Sequence, residues 1–189
     1  MEANTAQDHL FQALYCVART VNSSLDIMQV LQTIVNSTTE ALSAKACSLR
    51  LLGPDHTHLL FGAAHGLSTG YRAKGPVALD QSDVDRQALA QRRTVYIPDA
   101  RIDARFQYAQ AAREEGIVSV LVVPLYVQDQ PLGVLRVYTG SQRTFSEPEL
   151  ALAEAIGSLS ALAIENGRLY ERLNRNYHAA VEFGQREFE

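Results

Sequence analysis

Five cations stand where a binding site would need them. Arg50 and Arg136 interrupt strand-like apolar stretches, and Lys74, Arg101 and Arg105 lie in the irregular middle of the chain. A guanidinium buried without a partner is costly, so these side chains must meet carboxylates, a ligand's or the protein's own, with Glu40, Glu154 and Glu165 as internal candidates. Any pocket they line favours an anionic or polar-acidic ligand. Tyr71, Phe106 and Tyr108 have the aromatic character of pocket walls, a role they share with the plain covering of sheet edges. Ser119 adds a hydroxyl that its apolar surroundings should bury. Catalysis has less to work with. Asp99 and Asp103 suit an acid–base pair, but each also suits a turn cap or a local ion pair with Arg101 or Arg105. There is no Gly-rich phosphate loop, no HExxH and no Gly-x-Ser-x-Gly. His56 and His58 flank a turn, His65 ends a strand, and Cys47 alternates with Leu49 and Leu51 as core filler. No catalytic residue and no metal ligand is assigned.

The elements that must position these residues begin with the segment 116–138. Its apolar run 118–127 is rich in β-branched residues and too short for a buried helix, so it reads as a strand covered on both faces. Gln128-Asp129-Gln130-Pro131 turns the chain and 132–138 returns as a second strand, with Gly133 admitting a close neighbour. Before this hairpin come an amphipathic helix over 8–20, a break at 22–24, and a helix over 26–43 capped by Asp26. Two strands, 44–52 and 59–65, turn at Gly53-Pro54-Asp55. The middle is loop-rich: a short strand near 77–79, a helix over 82–92 capped by Ser82, a strand at 94–97 and a helix over 108–115. Loops of this length in a compact domain are ordered and functional or else disordered, and the interleaved aromatics favour order. Ser146-Glu147-Pro148-Glu149 then starts a helix with no stop before about residue 180. The layout is α+β: an antiparallel sheet of five or six strands, terminal helices on one face, loops and short helices on the other.

Composition narrows the function classes. The chain has 189 residues, 47% of them hydrophobic, which suits one domain with appended helices. A net charge of −4 and a pI near 5.7 exclude an extended basic surface for nucleic acid or anionic membrane. No segment reaches the length of a membrane span, and the polar start MEANTAQDHL is not a signal peptide. Cys16 and Cys47 lack metal-ligand spacing, and the expected setting is reducing and cytoplasmic.

Several strings occur in a telling order: Val95-Tyr96-Ile97-Pro98-Asp99, Asp103-Ala104-Arg105-Phe106, Glu115-Gly116-Ile117-Val118-Ser119, Val123-Pro124-Leu125, Gly133-Val134-Leu135 and Ala163-Ile164-Glu165-Asn166. Together they resemble the GAF domain over residues 26–173, with GLSTGYRAKGP and LRVY similar to a bacterial subgroup attached to signalling proteins. The resemblance implies a cytosolic, non-enzymatic sensory module that binds a small ligand between sheet and loop layer, often as a homodimer. It draws the pocket from Arg50, Tyr71, Lys74, Asp99, Arg105, Phe106, Tyr108, Ser119 and Arg136. Departures from known subtypes bear on the cofactor, which stays unassigned. The Asn-Lys…Phe pattern of cyclic-nucleotide binders keeps only Phe145. The segments where bilin-binding members and free methionine-R-sulfoxide reductases carry cysteines contain none, and His65 is the one placed candidate for a haem ligand.

Signal output must come from a partner or from further domains of a longer protein, since no kinase, cyclase or DNA-binding region fits in the remaining residues. The last helix carries Leu152, Ala155, Leu159, Leu162, Asn166, Leu169, Leu173, Asn176, Ala180 and Phe183 at alternating steps of three and four, a heptad seam. With Leu10 and Leu14 of the first helix, it is expected to pair two copies in a four-helix bundle. The division is 1–25 packing helix, 26–166 GAF domain and 167–189 helical extension. The alternatives are an interaction or dimerisation domain without a ligand, and a reductase of the free methionine-R-sulfoxide type.

Overall fold

The computed structural model describes residues 2–23 and 26–186. The chain opens with α1 (Glu2–Ser23) and α2 (Ile27–Ala41), followed by β1 (Ala46–Leu52) and β2 (His58–His65). The middle holds α3 (Thr69–Arg72), β3 (Val77–Ala78), α4 (Asp83–Gln91), β4 (Val95–Ile97) and α5 (Ala109–Glu115). It closes with β5 (Val120–Val127), β6 (Gln130–Tyr138) and the long α6 (Glu147–Arg186). The six strands form one sheet in the order β3-β2-β1-β6-β5-β4, antiparallel throughout. This is the α+β layout expected from the sequence.

Strand alternation divides the core in two. On one face Cys47, Leu49, Leu121, Val123, Leu135 and Val137 meet α1, α2 and α6 through Val17, Leu31, Ile34, Val35, Ile156 and Ile164. On the other, Ala46, Leu52, Val120, Val122, Val134 and Tyr138 meet the short elements through Tyr71, Val77, Val84, Ala88 and Phe106. Cys47 is fully buried and desolvation pushes its thiol pKa well up, as befits core filler. Gly133 is where β6 crosses the β1 backbone, since an added Cβ would lie 2.0 Å from the Arg50 carbonyl oxygen.

Local chemistry explains the boundaries. Asp26 accepts from the Met28 and Gln29 amides, as an N-cap should. Ser146 and Glu149 form a capping-box contact, the Ser146 amide donating to Glu149 Oε2 at 2.8 Å. Some expectations need correction. The first helix runs beyond 8–20 in both directions, because Ala3, Ala6 and Gln7 favour helix without adding to the apolar stripe. It takes residues 22–23 of the expected break, and residue 24 lies outside the described residues. The hairpin loop is the pair Gln128-Asp129, and Pro131 already sits in β6 opposite the register shift at Leu125/Tyr126, where a missing amide is tolerated. Thr69–Arg72 forms a helix inside the stretch read as loop, capped by the Ser68 hydroxyl. Ser82 precedes α4 without a side-chain cap bond; its hydroxyl donates to Asp85 instead. Among the described residues no helix is long and apolar enough to cross a membrane.

Candidate functional site

The loop-side face of the sheet carries a polar interior. Ser48 and Arg50 of β1 stand beside Arg136 and Tyr138 of β6, with Ser48 opposite Arg136 in the register. Arg136 is 1% exposed, and its Nε donates to Asp85 Oδ1 at 2.9 Å while Nη2 bonds Oδ2, a bidentate pair reaching from sheet to α4. Burial opposes the guanidinium's charge, but the Asp85 carboxylate more than offsets it and the pKa rises. The Phe106 ring lies 5.8 Å from the Arg136 Cζ and covers the pair. Ser48 Oγ and Tyr138 Oη share a hydrogen bond at 3.0 Å, and the Tyr138 ring meets Tyr71 edge-on.

Beside this matched pair the charges are not matched. Arg50 is 4% exposed, and its Nη1 donates to the carbonyl oxygens of Gly75 at 3.3 Å and Leu59 at 3.5 Å. Its Nε is buried without an acceptor, as are Tyr71 Oη and Lys74 Nζ. The Lys74 ammonium lies 3.0 Å from the Tyr71 ring centroid and 4.3 Å from that of Tyr108, between two aromatic faces. Tyr108 in turn donates to the Pro76 carbonyl at 3.0 Å, so Arg50 and Tyr108 both pin the 75–76 turn. Desolvation, helped by Arg136 and Arg50, lowers the Lys74 pKa to about 7. Burial likewise lowers that of Arg50 and raises that of Tyr71. A cavity of about 230 Å³ meets this interior at Tyr71 and Lys74; Ser68, Gly70, Ala111, Glu114 and Glu115 complete its lining, and Arg50, Phe106 and Arg136 do not line it.

Five of the nine residues expected at the pocket therefore share one interior: Arg50, Tyr71, Lys74, Phe106 and Arg136. Tyr108 stands at its edge. The remaining three are placed elsewhere. Asp99 binds the Arg101 guanidinium and amide, and Asp103 does the same for Arg105, so both carboxylates act in local ion pairs and turns. Ser119 accepts from Tyr96 on the helix-side face and donates to the Pro98 carbonyl at 2.8 Å. Glu40, Glu154 and Glu165 do not meet Arg136; Glu154 accepts from Thr94, and Glu165 from Arg172. The partner is Asp85, which sequence reasoning does not single out. Its signal was the spacing Ser82, Asp85, Ala88, Leu89, which sets an acid on the inward face of α4.

The sequence profile of the GAF domain matches residues 26–164. The chain is a member of the GAF domain family. Among solved structures, a GAF domain from a phosphoenolpyruvate-protein phosphotransferase of Coxiella burnetii superposes with a TM-score of 0.78 at 22% identity, covering 88% of this chain and 98% of that one. The free methionine-R-sulfoxide reductase of Neisseria meningitidis, in complex with its substrate, gives 0.71 at 19% identity, over 85% and 91%. The phycoerythrobilin-bound GAF domain of a cyanobacterial phytochrome gives 0.69 at 17%, over 86% and 98%. At these identities the likeness is one of fold. A comparison with curated proteins returned no match. GAF domains are typically sensory or regulatory modules of signalling proteins, though the reductase above shares the fold. In this GAF domain Cys47 faces the helix layer and Cys16 is exposed on α1, so neither thiol shares the loop-side interior.

Expected dimer contacts divide in the same way. Leu152 is buried in the chain's own core, and Leu10, Leu14 and Leu159 pack against that core in part, because α1 lies along α2 and α6 of the same chain. Leu162, Asn166, Leu169 and Leu173 stay exposed, with Tyr177 further along α6 and with Phe11 and Tyr15 on α1. The seam positions Ala180 and Phe183 lie outside the residues whose side chains are described.

Proposed function

We propose that this GAF domain is a non-catalytic sensor: a small ligand held between sheet and loop layer biases the pairing of its terminal helices in a homodimer. A partner or an adjoining output domain reads that change. The observation that carries the reading is the construction of α6. Its first half buries Leu152, Ala153, Ile156, Ala161 and Ile164 against the sheet and the other helices. The same helix then runs on with Leu162, Leu169, Leu173 and Tyr177 bare on one stripe, Leu173 at 68% exposure. An isolated helix gains little stability in water, and a second copy of the stripe would cover it. Asn166 on that stripe would fix the register. Since α6 also packs on β5 and β6, a change inside the sheet has a rigid element to act on.

Sedimentation of the full chain at micromolar concentration tests the proposal. A dimer mass, reduced to a monomer with an intact circular-dichroism spectrum by Leu169→Glu with Leu173→Glu, supports it. A monomer mass for the unaltered chain rejects it. The second reading, a dimerisation domain without a ligand, draws on the Arg136–Asp85 pair, because the cation most deeply set in the interior is already satisfied by the protein itself.

A further inference from the structure

We infer that the loop-side interior takes a small organic anion, with Tyr71 Oη and Lys74 Nζ as its donors and the unpaired charge of Arg50, held at the Gly75 carbonyl, nearby. The inference rests on the sensor reading and specifies its ligand. Of Arg50, Lys74, Arg101, Arg105 and Arg136, three have carboxylates of their own: Arg101 with Asp99, Arg105 with Asp103, and Arg136 with Asp85. Arg50 and Lys74 make no ion pair among the described residues, and Arg50 donates to the carbonyl of Gly75, the residue after Lys74. Buried polar atoms in folded proteins nearly always have partners, so the Tyr71 hydroxyl and the Lys74 ammonium over the same ring are a defect that a ligand's acceptors would remove.

The charge pattern sets the class. From the sheet Lys74 faces Arg50 and Arg136; from α5 it faces Glu114 and Glu115. Glu115 is occupied by the Ser68 amide and hydroxyl, and Glu114 accepts from Gln110. The interior is thus cationic beneath an acidic lip, which admits a compact anion and repels a polyanion. The cavity of about 230 Å³ lies below the usual ligand range of roughly 300–1,000 Å³, which points to a small acid and away from a nucleotide. Desolvation, with Arg136 and Arg50 nearby, lowers the Lys74 pKa to about 7. An anion beside it favours the ammonium form, so affinity should fall as pH rises above that point.

The test is thermal unfolding of the full chain at constant ionic strength with formate, acetate or inorganic phosphate, against acetamide and tetramethylammonium. The anions should raise the Tm of the unaltered chain, with apparent affinity about tenfold weaker in Lys74→Met, a loss matching one charge-assisted bond. The unaltered chain should bind less well at about pH 9 than at about pH 6, and Lys74→Met should show no such dependence. A preference for acetate or phosphate identifies the acid group. Arg50 also ties the Leu59 and Gly75 carbonyls, so its replacement would mix structural loss with lost binding; Tyr71→Phe, which removes one oxygen, gives the companion measurement and should also weaken the response. Equal anion responses in the unaltered chain, Tyr71→Phe and Lys74→Met overturn the anion site, as does no response to any anion. Stabilisation by acetamide or tetramethylammonium alone overturns it too and leaves the sensor reading standing, which the sedimentation measurement judges separately.

Discussion

With Arg136 1% exposed and Asp85 fully buried, neither charge has water to turn to when its partner is removed. Asp85→Asn should therefore lower stability by about 3–5 kcal/mol, the usual result of stranding one member of a buried pair. Replacing both, as in Asp85→Leu with Arg136→Met, should recover much of that loss, and chemical denaturation of the three variants checks the order. Lys74 makes a second prediction, in pH. Its pKa falls from an ordinary 10.5 to about 7 in the folded chain. Between those values the unfolded chain binds the extra proton, so the stability of the ligand-free protein rises with pH across that window. Below about pH 7 both states are protonated and the full cost of the buried charge is present. Lys74→Met should flatten the rise, as urea midpoints measured at successive pH values would show.

At the scale of elements, Gly133 and the loops around the polar interior are the places to press. An alanine at Gly133 would set its Cβ 2.0 Å from the Arg50 carbonyl oxygen, at φ +156. The β1–β6 pairing must then open, and a loss of at least about 3 kcal/mol is expected on equilibrium unfolding. The segments 66–80 and 98–107 wall the interior with short elements and local ion pairs, whereas β5 and β6 are ladder-bonded on both sides. Amide exchange should accordingly be faster in those two segments than in the hairpin, and equal protection in all three would contradict this. Much of this scale was legible in the sequence. Periodicity located the hairpin and the long helix, and cap chemistry located Asp26 and Ser146. What escaped were contacts between remote elements. Nothing near Arg136 in the chain names Asp85, since the pair depends on α4 docking across β6. Ser119 looked like a pocket residue, but strand parity turns it to the helix face, and a one-residue step decides that. Asp99 and Asp103 each bind the arginine two residues on, which composition alone leaves open.

The whole molecule has two unfinished features. The sheet's loop side holds cations without carboxylates, and the helix side ends in an apolar stripe without a cover. The proposed sensor would need both, one to receive a ligand and one to report it, with α6 spanning the distance between sheet and stripe. The coarse layout was predictable because each terminal helix carries its own pattern. The division of labour along α6 was legible in part, since the apolar side of Leu150, Ile156 and Ile164 ends where the seam runs on alone; the burial of Leu152 was not, because Leu152 and Leu169 read alike in a heptad. Native mass spectrometry of the purified full chain tests both features in one spectrum. The account predicts a dimer that retains a small acidic molecule, lost on mild activation, and a dimer that survives that loss. A bare monomer would contradict it.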